Sequence, residues 1–561
     1  MVWLQHYDPL GMRWLSTAMA ALPVLVLLGL VAMGHVRAWV AALAGLGAAL
    51  AVAIFGFGMP LPAATGSALY GAAYGVFPIG WIVINVLFLH SLTVQSGRFN
   101  ALRSRLSQLA PDPRVQLILV AYSFGGFIEG SAGFGAPVAI TAAMLMQLGF
   151  APVRASVMAL IANTAPVAFG SVGIPITTLA QVTGLDVLEL SRMAGRQLPP
   201  FSLMIPFWIV LAYGGWKALG GVWPAALAAG GSFALVQFLV SNFHGPWLVD
   251  TAAGLASILS LVLLLRWWRP TDGWVAPGEE GKPEVAPTTT VVAGTAAGKA
   301  AVVGAVEGER VGTRSVGNPW MPWLILAGVL FVWGLPVVKK GFDAIYAPGV
   351  PVAGLHERVM RVAPVVEGVG TPEKAEFRFN ALSATGTGIL IAAVLAGMSM
   401  GFGPREMIRA YGKTALRVRG SLVTIAAMLA LGNVTKFSGA DATLGLALAG
   451  TGPMYPFFGT LLGWLGVALT GSDTASNVLF GGLQKITSQQ LGLNPYLMCA
   501  ANSVGGVMGK MIDAQSIVVA GVATGVQGRE GQILRAVFWH SVALASLVGL
   551  LVTAMAMAEA R

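Results

Sequence analysis

Apolar residues run along this chain in blocks of about 20, and blocks of that length cross a ~30 Å hydrocarbon core as α-helices. The pattern predicts spanning helices at roughly 14–34, 38–58, 78–96, 201–216, 222–242, 248–268, 320–338, 381–402, 421–436 and 533–558. Two further apolar zones, about 115–183 and 456–526, are studded with Gly, Pro, Ser, Thr and Asn, which predicts broken or re-entrant helices. Two polar stretches interrupt the series. From Pro270 to Asn318, 27 of 49 residues are Pro, Gly, Ala or Thr and no amphipathic period is sustained, so the segment reads as a flexible cytoplasmic linker. Lys339 to Asn380 reads as one external loop. The domains expected are therefore an N-terminal membrane half (1–269), the linker (270–318) and a C-terminal membrane half (319–561). Met1 to Leu15 lacks the basic start of a cleaved signal peptide, so the helix from about Trp14 is expected to be retained.

The two Gly-rich zones resemble each other. Ile128–Ser131 followed by Ala162-Asn163-Thr164 can be laid over Leu469–Ser472 followed by Ala501-Asn502-Ser503. Ser96-Gly97 matches Ser438-Gly439, and Val182-Thr183-Gly184 matches Ala523-Thr524-Gly525, always at an offset close to 341. Matches in this order predict an internal repeat. Charge then gives its orientation. The loop with Arg98, Arg103, Arg105 and Arg114 corresponds to about 438–455, which has Asp441 and no base. The loop with Arg405, Arg409, Lys413, Arg417 and Arg419 corresponds to about 64–78, which has no charge. Basic loops stay cytoplasmic, so each repeat is expected upside down relative to the other. The class predicted is an all-α polytopic membrane protein of two inverted repeats with broken or re-entrant helices, about 12 to 16 membrane segments in all.

Composition agrees and excludes other classes. Of 561 residues, 56% are hydrophobic and 10% charged, against about 25% charged in soluble domains. That balance excludes soluble enzymes, DNA-binding domains and secreted disulfide scaffolds. The single cysteine, Cys499, allows neither an intramolecular disulfide nor a cysteine metal cluster. Six histidines lie without i,i+3 or i,i+4 pairing, which argues against a bis-histidine haem site. The net charge of +10 sits largely in short loops beside apolar runs, as the positive-inside rule requires, and calls for no acidic partner.

An ionisable residue inside a membrane costs several kcal/mol and is a functional candidate by default. Four stand out in the Gly-rich zones: Glu129, Asp473, Lys510 and Asp513. Arg154 and Lys485 fall there too, but their polar or Pro-marked surroundings read as loops. Glu129 comes just before the Gly-Ser step shared by the repeats and Asp473 just after it. Acids near a pseudo-symmetry axis suit proton or cation coupling, and burial favours the neutral form of a carboxyl and lets it load and release a proton. Lys510 is placed to neutralise an anionic substrate or to hold Asp473 ionised. Asp513, three residues on, reads as its local charge balance.

Uncharged polar clusters complete the candidate site. Asn163-Thr164-Ala165-Pro166 and Gly170-Ser171-Val172-Gly173-Ile174-Pro175 break a helix, and Ser383-Ala384-Thr385-Gly386 opens one. N-termini of broken helices offer free N–H groups and positive dipole ends that can hold a carboxylate without a buried arginine. The substrate-binding candidates are Ser131, Asn163, Thr164, Ser383, Thr385, Ser472, Thr474, Asn502, Lys510, Gln515 and Ser516, with Glu129 and Asp473 as proton-coupling acids. His90 and His540 rank below the acids. Gly130 to Gly135 lacks the strand and lysine of a nucleotide-binding loop. Neither a nucleophile–base pair nor a metal triad of an intramembrane enzyme is found.

At these motifs the sequence resembles the bacterial L-lactate permease family, which includes glycolate permeases. The motifs are Glu129-Gly130-Ser131-Ala132-Gly133-Phe134-Gly135-Ala136-Pro137, Asn163-Thr164-Ala165-Pro166-Val167-Ala168-Phe169-Gly170, Gly195-Arg196-Gln197-Leu198-Pro199, Ser383-Ala384-Thr385-Gly386-Thr387 and Thr470-Gly471-Ser472-Asp473-Thr474. The resemblance runs from Tyr7 to the last helix except in the linker, and it also matches at Lys510, Gln515 and Ser516. It departs at Asp513, where a small hydroxyl residue is expected. What it implies is a multi-pass protein of the bacterial inner membrane importing 2-hydroxymonocarboxylates such as lactate and glycolate with a proton. The partners implied are the hydroxy-acid anion, the proton and the lipid bilayer, with no cofactor and no nucleic acid. The rival readings are a sodium-coupled or exchanging carboxylate carrier, for which Asn163, Ser472 and Asn502 offer oxygen ligands, and a passive anion channel.

Overall fold

A backbone that crosses hydrocarbon must satisfy its own N–H and C=O groups, and this chain does so with helices. The computed structural model describes residues 2–32, 38–101, 109, 112–131, 136–271, 274, 317–366, 370–526 and 529–559. Nearly all of the expected linker lies outside these described residues. The N-terminal half contains α1 (Arg13–Ala32), α2 (Ala38–Ala51), α3 (Leu61–Tyr74), α4 (Trp81–Gln95), α5 (Pro113–Leu117), α6 (Gly125–Ser131), α7 (Ala136–Gln147), α8 (Pro152–Ala162), α9 (Gly170–Thr183), α10 (Val187–Gln197), α11 (Pro199–Phe243) and α12 (Val249–Trp267). The C-terminal half contains α13 (Met321–Gly334), α14 (Pro336–Ile345), α15 (Thr385–Ser399), α16 (Pro404–Ser438), α17 (Ala440–Leu448), α18 (Tyr455–Thr470), α19 (Asp473–Gln490), α20 (Pro495–Gly509), α21 (Ala514–Ala523) and α22 (Glu530–Glu559).

Among the described residues, six elements are long and apolar enough to cross a membrane, and two bent pairs raise the number to 8. Parts of α1, α7 and α15 are shorter apolar helices. Elements and crossings are not the same count. The run Val187–Phe243 has 57 residues, about 85 Å if straight, and it breaks at Gly215, whose φ is +72. Large apolar side chains such as Phe55, Leu69, Leu235 and Leu550 project outward, an arrangement that lipid tolerates and water does not. The chain is a polytopic helical membrane protein with broken helices.

Several loops expected from the sequence are helical. Residues 405–419 form the first half of α16, where Pro404 opens the helix and the Glu406 carboxylate accepts from the Gly403 N–H at 2.8 Å. Arg405, Arg409, Lys413 and Arg417 recur every fourth residue and make one exposed stripe. Residues 61–74 are α3, whose Gly71 lies so close to α16 that a Cβ there would meet the Leu429 carbonyl oxygen at 2.2 Å. Part of 438–455 is α17, Lys485 lies inside α19, and Arg154 occupies the first turn of α8. The stretch expected to form an external loop is not structureless. Strand β1 (Trp3–Leu4) pairs in parallel with β3 (Val359–Arg361), which pairs with β4 (Thr371–Pro372), while β2 (Gly349–Pro351) pairs with β5 (Glu376–Arg378). The N-terminus and this loop therefore share one face of the molecule.

Packing between the halves is reciprocal. Helix α9 packs on α19 as α7 packs on α21, and α10 packs on α20 as α22 packs on α8. Likewise α2 lies on α16 and α15 on α4. Two of the matched glycine pairs share a conformation too: Gly97 and Gly439 end helices at φ +75 and +88, and Gly184 and Gly525 at +69 and +70, whereas Gly130 is helical where its match Gly471 is left-handed. This exchange of partners fits a pseudo-two-fold repeat.

Candidate functional site

Two breaks meet where the halves cross. Helix α8 stops at Ala162, the chain turns through Asn163–Phe169, and it resumes as α9 at an angle of 65°. Pro166 has no N–H to continue the first helix. At the start of α9, Ser171, Val172 and Gly173 have φ of +46, +61 and +72, a left-handed stretch that costs most at the β-branched Val172. In the other half α18 ends at the left-handed Gly471 (φ +71). Ser472 then caps α19, its hydroxyl accepting from the Ala475 N–H at 3.3 Å, and this places Asp473 in the first turn.

The acids are buried around these breaks. Glu129, 5% exposed, lies against Gly170, where a Cβ would sit 2.6 Å from its Oε1. Its Oε2 has no close hydrogen-bond partner, and the Asn163 amide stands beside the carboxyl, near enough to interact with it but without a well-formed hydrogen bond. Asp473 takes hydrogen bonds on Oδ2 from the Ser503 hydroxyl and from Asn477 Nδ2 at 3.4 Å, and leaves Oδ1 unpaired. Lys510 lies within electrostatic reach of both acids. Its ammonium donates to the Gly471 carbonyl at 2.6 Å and stands 3.5 Å from Asp513. Asp513 Oδ1 accepts from the Ser516 N–H at 2.7 Å, so it also caps α21. Asp513, where the resemblance implies a small hydroxyl residue, thus places a buried carboxylate beside Lys510.

One further acid belongs here that the sequence reading passed over. Asp250, 1% exposed, stands in the first turn of α12, and neither of its carboxyl oxygens has a partner. It was hidden in an apolar run counted as a plain helix. The signal was present: the rule applied to acids of the Gly-rich zones applies to any acid in a spanning segment.

Other candidates are already engaged. Asn502 stands in a buried ladder: Tyr455 donates to Gln484 at 2.7 Å, Gln484 to Asn502 at 3.1 Å, Asn502 to Asn477 at 2.9 Å, and Asn477 to Ser503 at 3.2 Å. Asn477 also donates to the Pro175 carbonyl at 3.2 Å, bonding the two halves directly. Ser131 and Thr164 return their hydroxyls to their own helix turns, at Phe127 and Ile161. Ser472 and Thr474 are half-buried beside Asp473, and the buried Ser516 hydroxyl has no partner. The side chain of Gln515 lies outside the described residues.

Ser383 and Thr385 are not brought to this centre. Helix α15 packs on α4 and α13, and Ser383 donates to Asp343 while accepting from Asn380 at 2.9 Å. A helix start marked by hydroxyls does not reveal in sequence which neighbour it faces. His90 is half-buried beside Phe99, and His540 accepts from Trp208 Nε1 at 3.1 Å. A cavity of about 470 Å³ lies at the far end of α19, lined by Arg361, Pro364, Lys485, Gln489 and Gln490. Among the described residues no group of three His, Cys, Asp or Glu side chains is arranged to hold a metal.

Known proteins supply the context for this arrangement. The family model described as L-lactate permease matches residues 16–558. Glycolate permease GlcA of Escherichia coli (strain K12) is 43% identical over 562 residues, covering 98% of this chain and 97% of that protein. An L-lactate permease of Salmonella typhimurium is 41% identical, covering 99% and 98%. Among solved structures, the YdaH transporter of Alcanivorax borkumensis aligns over 86% of both chains at 15% identity and a TM-score of 0.38, a likeness too low to carry an argument.

Proposed function

The chain belongs to the L-lactate permease family, permeases rather than enzymes, and on that premise we propose that it imports lactate, glycolate and related 2-hydroxymonocarboxylates together with a proton. Multiple apolar helices and permease relatives make it a multi-pass protein of the bacterial inner membrane. The observation that carries proton coupling is a surplus of buried acid. Glu129, Asp250 and Asp473 each keep an unpaired carboxyl oxygen, while Lys510, the lysine among them, is already balanced by Asp513. A buried carboxylate without a compensating partner is costly, and an incoming anion adds about 4 kcal/mol of repulsion at 4 Å and an effective dielectric near 20. Protonation removes that repulsion. Anion and proton therefore bind best together.

In this reading the substrate carboxylate lies at the N-terminal end of α19, near Ser472, Thr474 and Lys510, with the Asn163 amide beside Glu129 and the unpartnered Ser516 hydroxyl as further hydrogen-bonding groups. Glu129 and Asp473 carry the coupling proton. The two repeats face opposite ways: the strands of 349–378 lie outside with the N-terminus, and the end of α4, where Arg98 donates to the Ser399 carbonyl at 3.0 Å, lies inside. The test is uptake of labelled lactate into proteoliposomes under an imposed pH gradient without sodium. Concentrative uptake with matching proton movement is expected. Accumulation only with sodium would replace this reading with the cation-coupled one, and downhill flux alone would make the protein a channel.

A further inference from the structure

We propose that Asp250 is a second proton-binding site, paired with Glu129 on the side of α6 away from the substrate; this rests on the proton-coupled reading above. The pairing follows from how α6 and α12 touch. Their backbones meet through two glycines: a Cβ on Gly130 would lie 2.5 Å from the Thr251 nitrogen and 2.8 Å from Asp250 Cβ. A Cβ on Gly254 would lie 2.5 Å from the Phe127 nitrogen. Contact this close leaves no room for water between the helices, and it presses Asp250 against the turn that carries Glu129. The two acids lie within electrostatic reach of each other.

No cation faces Asp250; what favours a negative charge there is the N-terminal end of α12, in whose first turn it stands, and the nearby Gln237 amide. Helix α12 packs chiefly on α6, α9, α11 and the turn 118–124. From α6 comes Glu129, an acid; from the turn 118–124 comes Tyr122, whose hydroxyl is committed to the Ser202 carbonyl at 2.6 Å. Helix α9 carries no titratable residue. Helix α11 brings the Gln237 amide, whose oxygen accepts from Ser202 at 2.6 Å and whose nitrogen donates to the Ala165 carbonyl at 3.3 Å. Lys217 lies about 30 Å along α11 from Gln237; Tyr213, beyond the break at Gly215, lies about 16 Å along its own segment from Ser202, which touches Gln237; and Arg266 lies about 24 Å along α12 from Asp250. His244, at the end of α11, engages the Phe331 carbonyl at 3.0 Å.

An apolar side chain would fill this place more cheaply than an unpartnered acid. The acid earns a role only by exchanging a proton, and the group within reach for that exchange is Glu129. A carboxyl pair of this kind holds at least one proton, because two adjacent negative charges in a dry site repel strongly. Glu129 faces Lys510 and the crossing of the halves, whereas Asp250 lies behind it, apart from α18 to α21. The proton is thus stored beside the substrate site without occupying it.

The experiment compares Asp250→Asn, Asp250→Glu and wild type in proteoliposomes, measuring lactate accumulation driven by a pH gradient, lactate-dependent proton movement reported by a trapped pH dye, and exchange of labelled for unlabelled lactate at equal pH. Asp250→Asn is expected to lose at least tenfold in accumulation while exchange stays within about twofold of wild type. Asp250→Glu is expected to accumulate lactate with a shifted pH midpoint. Wild-type accumulation in Asp250→Asn overturns the proposal, as does loss of exchange in parallel with accumulation, which would make Asp250 a structural or substrate group. If Asp250→Asn yields no folded protein, Asp250→Glu decides: an unchanged pH midpoint overturns the proposal and a shift supports it. Failure of the underlying reading shows itself separately, as wild-type uptake with no proton movement.

Discussion

Replacing Gly506 by alanine separates the acid at the centre from the helix packing that holds it. A methyl group at 506 would sit 2.4 Å from Asp473 Oδ1 and 2.8 Å from Val467 Cγ2. Ordinary carbon–oxygen contacts are about 3.3 Å or longer, so the carboxyl must retreat by about 1 Å. That retreat breaks the geometry of the bonds Asp473 receives from Ser503 and Asn477. Losing them, with overpacking of the site, costs about 2–4 kcal/mol. Gly463→Ala gives the contrasting case. Its methyl would meet the Asn502 backbone oxygen at 2.0 Å, and no side chain can swing aside, so α18 and α20 must part. Gly450→Ala is the control, because its methyl meets nothing within 4 Å. Thermal unfolding in detergent and pH-gradient-driven uptake in proteoliposomes read all three. Gly506→Ala is expected to fold with a lowered Tm and to accumulate less than about a tenth of the wild-type lactate, equivalent to about 1.4 kcal/mol or more. Gly463→Ala is expected to yield little folded protein and Gly450→Ala to match wild type. Wild-type accumulation by Gly506→Ala would refute the assignment of Asp473 to the working centre.

Lys510→Met leaves Asp513 as a buried carboxylate without its cation, so a loss of about 3–5 kcal/mol is expected in denaturation, together with loss of uptake. Asp513→Ser keeps a hydroxyl to cap the Ser516 N–H and leaves Glu129 and Asp473 near the ammonium; it is expected to stay within about 1–2 kcal/mol of wild type and to transport. Equal damage from both variants would show that the pair acts only as a structural unit. Asn502→Ala interrupts the ladder and strands groups on Gln484 and Asn477; a drop of about 1–3 kcal/mol by thermal unfolding is expected. Gly215→Ala forces a side chain into φ +72, ψ −168, a region essentially reserved for glycine, at the break of α11, and a loss of about 1–3 kcal/mol is expected, with uptake retained.

The spans and the breaks were legible because lipid imposes simple rules on length and on Gly and Pro. The ordered short matches that predict a repeat fit the structure, which gives two matched glycine pairs the same left-handed conformation. Charge was misread where it was taken as a mark of loops. The bases at 405, 409, 413 and 417 are spaced at four, the period of a helix face, and that spacing rather than their number carried the information. Within the site, Glu129, Asp473 and Lys510 come together, because each stands at a helix break and the breaks cross. Ser383 and Thr385 do not, since sequence shows that a helix begins there but not what it packs against. Asn502 was named for its chemistry, yet a buried amide is most easily satisfied by neighbouring amides, and here Gln484 and Asn477 satisfy it. Asp250 needed the cost of an intramembrane acid to be applied to every span.

An anion carrier whose centre is lined with acids works only if the acids are neutral when the anion arrives, and the pairing of charges decides between the coupling ions. Sodium would need several oxygen ligands free at once. The Asn502 oxygen is taken by Gln484 and the Asn477 oxygen by Asn502, while Ser472 is used in capping α19. Of the oxygens proposed from sequence as sodium ligands, that leaves Asn163 Oδ1 without a partner. The unpaired carboxyl oxygens of Glu129, Asp250 and Asp473 need only one light ligand each, and a proton supplies it without a coordination shell. Each carboxyl neutralised removes about 4 kcal/mol of repulsion at 4 Å, close to three powers of ten in affinity for the anion. Under the proposed reading, a centre with this surplus of acid takes the proton as its coupling ion, and the same repulsion, restored when the proton leaves, helps expel the substrate.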